Sequence, residues 1–354
     1  MILIREATED DNEALNELQK KCPMGTGIVI GVDCSPDYFA RSKPFEEWQV
    51  LVAVEKSTIV GSAAYAIIDT CVGGKKLKTA LEYGFIVDPL QRRKGIAEKL
   101  HKQVEHAVLE KDVKLLHLDV IEDNLPSIGL FSKMGFKKVK DCTVFSLLPY
   151  KKQRTTAQAN IRSMNEADVD DVTNLINETY RDYDFFVPFQ PKSLLEYLKR
   201  MPYFELRDFL VLEDKGGIEA CLGYWDHSKV RRYIVEKMNR TMRIQTYLIK
   251  LIGLFAKMPR IPEPDEPLLN YSLPAMACRN SESMTELIKH TLNIALENRV
   301  YQIIATVDPM NPMAANLSQF RHMKMKSHFF AKWLRQEELS NLGERKLYID
   351  ANQM

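Results

Sequence analysis

The sequence lacks the cysteine patterns, signal peptide and long apolar runs of disulfide-bonded, metal-binding, secreted and membrane-spanning proteins. It has six cysteines, none of which forms a CxxC pair or stands near two histidines at metal-ligand spacing; they occupy positions 22, 34, 71, 142, 221 and 278. Free thiols in a reducing compartment are therefore expected, with no disulfide scaffold and no metal site. No run of about 18 apolar residues predicts a membrane span. Acids follow the short apolar start too soon for a signal peptide, so we expect a cytoplasmic protein.

The sequence also lacks a net charge of either sign. Its 49 basic and 48 acidic residues leave a formal net charge of +1. A balance this close to neutral excludes a chain whose overall field recruits nucleic acid or an anionic membrane. Hydrophobic residues at 45% and charged residues at 27% are typical of a globular protein and exclude a disordered one. The length of 354 residues allows two or three domains at about 100–200 residues each.

The first 150 residues alternate apolar runs with amphipathic segments. The pattern predicts strands at 2–4, 50–54, 59–68, 80–87, 115–121 and 136–148. It predicts a first helix after Thr8, a long helix from Gly95 and a short one at 125–134. Residues 22–47 are predicted to be irregular, and the polar residues 151–159 a linker. This order is that of a mixed α/β unit occupying residues 1–150.

The same order begins again after the linker. Residues 161–168 repeat the strand-to-helix opening of residues 4–11 at a shift of 157. A shift of 187 aligns a later block without gaps, and residues 92–131 then show nine identities with 279–318. We interpret residues 160–354 as a second copy of the same unit, because recurrence in two places is improbable by chance.

The second copy is longer by about 30 residues, the difference between the two shifts. The surplus lies near 229–267. Residues 229–258 contain eight basic residues and one acid, and apolar residues at steps of four predict a helix: Val230, Ile234, Met238 and Met242. A helical insertion packed against the second copy is the expected outcome, and contact with an acidic partner or membrane surface is the alternative.

The strongest site signal is the sequence from Val87 to Ala97, VDPLQRRKGIA. A strand ends, a basic turn follows, and a helix begins at Gly95. Unpaired backbone N–H groups and the helix dipole suit an anion at such a turn, and glycine permits close backbone approach. Judged by these residues alone, a solvated basic turn is an equally good interpretation.

Two motifs add a family resemblance. Val87-x-Pro89 with Arg92-x-x-Gly95-x-Ala97 resembles the signature of the GNAT superfamily of acyl-CoA N-acyltransferases. Asn124-x-x-Ser127, leading into LFSKMGF at 130–136, resembles that family's downstream motif. The order of elements through residue 148 is similar too. The resemblance implies two tandem GNAT-like domains, each with a mixed, mostly antiparallel sheet flanked by helices.

The resemblance also implies how acetyl-CoA would bind. Backbone N–H groups of the basic turn would hold the pyrophosphate, and the strand end would pair with the pantetheine arm. The implied contacts come from Ile86, Val87, Arg92, Arg93, Lys94, Gly95, Ile96, Ala97, Asn124 and Phe131. No metal is implied.

The resemblance suggests catalytic residues as well. Glu82 lies where many members hold a general base, and an outward-facing strand residue is the alternative. The usual proton-donating tyrosine falls on Phe131, which has no hydroxyl. Ser127, Tyr83, Cys142 or solvent remain as substitutes, and Ser127 is our candidate.

The second copy departs from the cofactor motif. Glu282 aligns with Gly95 and Met284 with Ala97. A carboxylate repels phosphate, and the methionine is expected to crowd the turn. We therefore expect a degenerate second domain that keeps the fold without the cofactor.

The sequence thus predicts an N-acetyltransferase acting on a primary amine, either a small molecule or a peptide, in a ternary complex. A non-catalytic acyl-CoA sensor or scaffold is the alternative. The domains are expected to form a pseudo-dimeric monomer, or the chain a homodimer. Residues 22–47 are expected to border the acceptor, but their mixed charges select no acceptor class: Asp33, Asp37, Arg41 and Lys43.

Overall fold

The first part of the chain folds in the predicted order of elements. A computed structural model describes residues 2–25, 28–156, 160–214, 216–253, 258–260, 263–335 and 342–350. The elements before the linker are β1 (Ile2–Glu6), α1 (Asn12–Lys20), β2 (Ile28–Asp33), β3 (Glu47–Glu55), β4 (Thr58–Val72), β5 (Lys75–Val87), α2 (Ile96–Glu110), β6 (Leu115–Ile121), α3 (Leu125–Lys133) and β7 (Lys137–Leu147). Helix α2 forms because its apolar residues recur at steps of four, which buries Ile96, Leu100, Val104 and Val108 on one face.

The part after the linker is built from more and shorter strands. Its elements are β8 (Ile161–Ser163), α4 (Val169–Tyr180), α5 (Pro191–Arg200), β9 (Phe209–Asp214), β10 (Gly217–Gly223), β11 (Trp225–Asp226), β12 (Arg232–Met238), α6 (Arg240–Gly253), β13 (Pro267–Leu268), β14 (Asn270–Ser272), β15 (Ala277–Cys278), α7 (Ser281–Glu297), β16 (Gln302–Val307), α8 (Met313–Ser318) and β17 (His322–Trp333). The end of the predicted linker, 157–159, lies outside the described residues.

One ten-stranded sheet runs through both parts of the chain, in the order β1-β3-β4-β5-β6-β17-β7-β16-β14-β11. Most neighbours are antiparallel, while β5 with β6 and β14 with β16 are parallel. Helices flank the sheet, so the predicted mixed α/β fold is confirmed. Strand β17, from the end of the chain, lies between β6 and β7 of the first part. The two parts therefore exchange their last long strands, and a division into domains at 150 and 160 stays a prediction.

The internal repeat is visible in the geometry. At a shift of 187, α2, β6, α3 and β7 fall on α7, β16, α8 and β17. At a shift of 157, Arg5 holds both carboxylate oxygens of Asp11 at 2.6 and 2.8 Å, and Arg162 holds Asp168 at the same two distances. Both acids also accept a backbone N–H bond at the start of a helix. Identical local networks at equivalent positions support the duplication.

Two expectations about secondary structure are wrong. Residues 28–33, predicted to be irregular, form β2, which pairs with β12 across the two parts of the chain. Residues 232–238, predicted to be helical, form β12 itself, and only α6 follows the helical prediction. A spacing of four is also a multiple of the two-residue period of a strand, so the same apolar pattern fits either element. Residues 254–257 and 261–262 of the predicted insertion lie outside the described residues.

Among the helices in these ranges, none is long and apolar enough to cross a membrane.

Candidate functional site

A gap opens in the sheet between β5 and β6. The two strands pair in parallel only where Thr79–Leu81 lie beside Leu115–His117, and they separate beyond that point. Within the same stretch, β5 shifts register against β4, and Gly84 takes a left-handed φ of 66°. A bulge of this kind turns backbone groups away from the ladder. The half-buried Ile86 and Val87 follow the bulge, so the strand edge facing the gap is free to pair with an extended ligand.

The basic turn that follows β5 is ordered by its own side chains. Asp88 accepts a bond from the backbone N–H of Leu90 at 2.9 Å, and Arg92 donates to the carbonyl of Val87 at 3.3 Å. Lys94 donates to Gln91 at 2.6 Å. These bonds fix the turn while its cations stay exposed, so they hold a positive field in front of α2.

The N-terminus of α2 is open. Gly95 caps the helix with a φ of 73° and no side-chain hydrogen bond. A Cβ atom built at this glycine would meet nothing within 4 Å, so free space lies directly before the helix. Ile96 is buried and anchors the first turn, while Ala97 is half-buried. Unpaired N–H groups beside free space are suited to an anion such as a pyrophosphate.

The equivalent turn before α7 is occupied by the protein itself. Asn280 caps α7 by accepting a bond from the N–H of Ser283 at 2.8 Å, and Asn316 donates to the carbonyl of Ser281 at 2.6 Å. A nearby depression of about 460 Å³ is lined partly by the acids Glu282 and Glu286. Capping side chains and carboxylates disfavour a phosphate at this turn.

Met284 differs from its expected position. It is fully buried in the core under α7, so it does not crowd the turn as predicted.

Helix α3 places the downstream motif beside the gap. Asn124 caps this helix through a 3.3 Å bond from the N–H of Ser127. Phe131 is buried and meets Phe85 of β5 edge to face, with ring centroids 5.2 Å apart. Ser127 is half-buried and lies one turn before Phe131 on the same helix face. The structure therefore brings Ser127 and Phe131 together and packs Phe131 against the bulged strand.

Glu82 is enclosed on the α2 face of the sheet. Its carboxylate lies 2.9 and 3.1 Å from Nδ1 of His101, and its side chain has no exposed surface. The other nitrogen of His101 lies 3.2 Å from the ammonium of Lys332 on β17, which pairs with Glu105 at 2.5 Å. Burial raises the pKa of Glu82, and the bond with His101 opposes that shift. The outward-facing alternative for Glu82 is therefore wrong.

A second carboxylate, Asp119 on β6, was missed. Leu81 and His117 form the last parallel pair, so Tyr83 and Asp119 each follow it by two residues on the face away from α2. One carboxylate oxygen of Asp119 is buried without a hydrogen-bond partner among the described residues. Burial raises the pKa of Asp119 to about 6. An acid within the apolar strand sequence LLHLDVI was the signal that could have identified it.

Hydroxyl and thiol groups differ in their distance from the bulge. Cys142 is wholly buried in a core cluster, and burial raises the pKa of its thiol, so it has no access to the gap. Tyr83 donates to Ser42 at 2.8 Å, and burial raises its pKa to about 12. The hydroxyl of Tyr38 lies 3.0 Å from Oγ of Ser62, the residue beside the bulge.

Groups of three or more potential metal ligands do not occur among the described residues.

Comparison with known proteins places this site in a family context. Residues 12–136 match the model described as the acetyltransferase (GNAT) family. No curated protein shows a significant match to the sequence.

Solved structures share the fold of almost the whole chain. N-myristoyltransferase from Saccharomyces cerevisiae with bound myristoyl-CoA is 11% identical, with a TM-score of 0.67 over 98% of this chain and 89% of that one. A GCN5-related N-acetyltransferase from Kribbella flavida is 12% identical, with a TM-score of 0.54 over 94% of this chain and 72% of that one. A GCN5-related N-acetyltransferase from Anabaena variabilis is 10% identical, with a TM-score of 0.54 over 95% and 73%.

Proposed function

We propose that the protein is an N-acyltransferase that moves an acetyl group from acetyl-CoA to a primary amine, and the match of residues 12–136 to the GNAT acetyltransferase family supports this. One observation carries the proposal: the uncapped N-terminus of α2 opens beside the bulged, unpaired edge of β5. The first feature suits a pyrophosphate and the second suits the amide groups of a pantetheine arm, so together they fit coenzyme A.

The turn and the strand would share the binding of the cofactor. Backbone N–H groups of residues 92–97 would hold the pyrophosphate, with the side chains of Arg92, Arg93 and Lys94 adding charge. The backbones of Ile86 and Val87 would pair with the arm. Asn124 and Phe131 would contact its far side from α3.

The proposed reaction is a direct transfer. The amine nitrogen attacks the thioester carbonyl carbon, the C–S bond breaks, and the thiolate leaves and takes up a proton. Holding both reactants together supplies much of the acceleration. A backbone N–H at the bulge would donate to the developing oxyanion.

Two carboxylates are candidates for the base that receives the ammonium proton. Glu82, suggested by the sequence, is enclosed by His101 and needs a relay to reach the gap. Asp119 lies on the other face at the start of the gap and has a free carboxylate oxygen. Its pKa of about 6 would leave it ionised at neutral pH and still basic enough to accept a proton. We therefore favour Asp119.

Phe131 supplies no proton for the leaving thiolate. Ser127, one turn earlier on α3, is the proposed donor, and Tyr38, whose hydroxyl lies 3.0 Å from Oγ of Ser62 beside the bulge, is a second candidate on the other face. The second part of the chain is proposed to be degenerate, because its equivalent turn is filled by Asn280 and bordered by acids.

Titration calorimetry with a matched pair of Gly95 variants tests the cofactor site. Gly95→Glu places a carboxylate where the phosphates would lie and should abolish acetyl-CoA binding. Gly95→Ala adds only a Cβ in open space at a positive φ, so we expect weaker but measurable binding. Retained affinity in Gly95→Glu would refute the pyrophosphate site. Parallel titrations with myristoyl-CoA show whether the protein prefers a short or a long acyl chain on coenzyme A.

The alternative is an acyl-CoA-binding sensor or scaffold without turnover, and the missing hydroxyl at Phe131 favours it. Thiol release from acetyl-CoA with a panel of amines separates the two functions. Tight binding with no release above the rate in buffer would favour the sensor.

A further inference from the structure

The charged residues near the acceptor side are paired, with one exception. Asp33 accepts a 2.6 Å bond from Arg232 on β12. Lys43 pairs with Asp37 at 2.5 Å. Of the charged residues that left the acceptor class open, only Arg41 has no recorded ion pair or side-chain hydrogen bond among the described residues, and its Nε atom is buried.

A second unpaired arginine comes from the other part of the chain. Arg231, directly before β12, forms no ion pair with any described carboxylate, and its Nε atom is buried without a hydrogen bond. The Nε atom of Arg41 is in the same state. Both residues are half-buried. A guanidinium group has five N–H donors in a fixed plane, and a buried donor without an acceptor is costly.

Aromatic rings hold both guanidinium groups in place. Arg41 lies over the ring of Tyr83 at 4.9 Å, and Arg231 over the ring of Tyr233 at 5.5 Å. A cation on an aromatic face keeps its planar edge free for hydrogen bonds. The arginines are therefore pre-ordered, with their donors available to a ligand.

The positive charges of Arg41 and Arg231 act on each other and on His227, with the Arg232–Asp33 pair beside them. Burial opposes the charge of Arg231, but Tyr233, Cys34 and Tyr38 outweigh it and raise the pKa of Arg231. Burial, followed by the charge of Arg231, lowers the pKa of Arg41. Burial lowers the pKa of His227 to about 3, and the charges of Arg231 and Arg41 add to that shift. Two cations this close without a counter-charge are unfavourable in a partly buried site. An anionic ligand would relieve that cost.

The cluster lies next to the proposed acyl site. Tyr83, beneath Arg41, immediately precedes the bulge at Gly84. Tyr38, three residues before Arg41, reaches Ser62 opposite the bulge. The pairing of β2 with β12 brings Arg231 to the same place. The longer second part of the chain thus contributes one of the two unpaired arginines, and the first part contributes the other.

We propose that Arg41 and Arg231 form an oxyanion pocket for the acceptor, which is an amine that also carries a carboxylate or a phosphate group. This proposal rests on the proposed acyltransferase function. Planar guanidinium donors match both oxyanions, and the positive field repels polyamines, whose charge is wholly positive. Arg231, one of the eight basic residues of the insertion, therefore acts on a small ligand.

The first test measures binding of the acceptor at Arg41 and Arg231. The cofactor turn is saturated with coenzyme A or disabled by Gly95→Glu, so that the probes do not bind there. The probes are glycine, glycinamide, 2-aminoethyl phosphate and ethanolamine, and the readout is the midpoint of thermal unfolding. We expect glycine and 2-aminoethyl phosphate, but not the partners that lack the oxyanion, to stabilise the wild type. Arg41→Gln and Arg231→Gln should lose that effect, and Lys43→Gln, a paired cation of the same segment, should keep it. The more stabilising acid identifies carboxylate or phosphate as the ligand group.

Turnover is tested second, by thiol release with α-amino acids and with aminoalkyl phosphates, each beside its amide or alcohol. We expect acids to be preferred by at least tenfold in kcat/KM. Arg41→Lys and Arg231→Lys keep the positive charge but lose the planar set of guanidinium donors. Each should raise KM for the acid about tenfold and leave acetyl-CoA affinity unchanged. Equal stabilisation of wild type and glutamine variants by every probe would overturn the pocket. Loss of acetyl-CoA binding alone would instead contradict the acyltransferase function and leave the pocket standing.

Discussion

Asp119 is the side chain whose ionisation should control the rate. A base must be ionised to accept a proton, and burial raises the pKa of Asp119 to about 6. We expect kcat/KM of the wild type to rise with pH through that value. Asp119→Asn should lower kcat/KM by roughly 10²–10⁴ and remove the inflection near pH 6. Stopped-time thiol assays between pH 5 and pH 9 measure both effects.

Glu82→Gln is the matched control for that profile. The amide keeps a hydrogen bond to His101 inside the enclosed α2 face, so we expect a change of only a few-fold. Glu82 would be the base if Glu82→Gln lost both activity and the inflection of kcat/KM near pH 6, while Asp119→Asn kept both.

Ionised Asp119 should also lower the free energy of unfolding at neutral pH. Its folded pKa is raised from an ordinary 3.8, so its ionised form is the less stable one in the folded chain. The penalty is absent below about pH 4, grows as pH rises towards about 6, and amounts to ~3 kcal/mol above that. We therefore expect Asp119→Asn to be the more stable protein at pH 7.5, with urea midpoints converging at pH 4. Equal midpoints at both pH values would show that the carboxylate is solvated.

The duplicated Asp11 and Asp168 should respond to pH in the opposite direction. The bond from Arg5 lowers the pKa of Asp11 to about 2, so its stabilising effect is present above about pH 4 and disappears as pH falls through 2. Asp11→Asn should cost about 1 kcal/mol at pH 7, measured by urea unfolding. Asp168→Asn should cost less, because Arg162 keeps a second partner in Glu213 at 2.9 Å. A larger loss in Asp168→Asn would contradict this.

The residues of the site differ in how far they could be predicted from the sequence. Gly95 and the basic turn before it depend on neighbours within a few residues, so a local motif identifies them. Arg41 and Arg231 meet only because β2 pairs with β12, a contact between distant segments. Asp119 lies beyond the paired part of β5 and β6 only because β6 leaves β5 after His117. Local patterns contain no information about either contact.

At the scale of elements, the position of α2 depends on a glycine, Gly61 of β4, beneath the start of the helix. A Cβ atom at Gly61 on β4 would lie 2.9 Å from Cγ2 of Ile96, the first residue of α2. Gly61→Ala should therefore push the helix start outward, cost about 1–3 kcal/mol and weaken acetyl-CoA binding. Chemical denaturation and calorimetry measure the two effects.

Gly129 in α3 offers the control for this substitution. A Cβ atom there meets nothing within 4 Å, and glycine is a poor helix former. Gly129→Ala should stabilise the protein by up to ~1 kcal/mol. If both alanines had the same effect, packing under α2 would not be the cause.

Elements were predictable wherever their period was unambiguous. Strands β3 to β6 and helices α2 and α3 follow apolar patterns that fit one period only. The apolar pattern of β12 does not fit one period only, since residues at steps of four share a face in both a helix and a strand. Pairing with β2 decides in favour of the strand. The extended β12 follows Arg231 directly, so the helical prediction for this segment gave no indication that Arg231 lies near Arg41.

At the scale of the whole molecule, the exchange of β7 and β17 joins the two copies. Strand β17 pairs with β6 on one side and with β7 on the other, and β7 pairs onward with β16. Phe329 and Phe330 of β17 are buried in clusters that include residues of the first part. Removing the second part would leave β6 and β7 with unpaired edges and exposed apolar faces, which promote aggregation.

We therefore expect the two parts to depend on each other for folding. A protease site introduced between residues 156 and 160 should allow the linker to be cut after folding. The cut protein should elute as one species and unfold in one transition, because the exchanged strands hold it together. Residues 1–156 expressed alone should instead aggregate or lack cooperative unfolding. Size-exclusion chromatography and circular dichroism measure these outcomes. A soluble 1–156 fragment that unfolds cooperatively and binds acetyl-CoA would show that the first copy folds without β17.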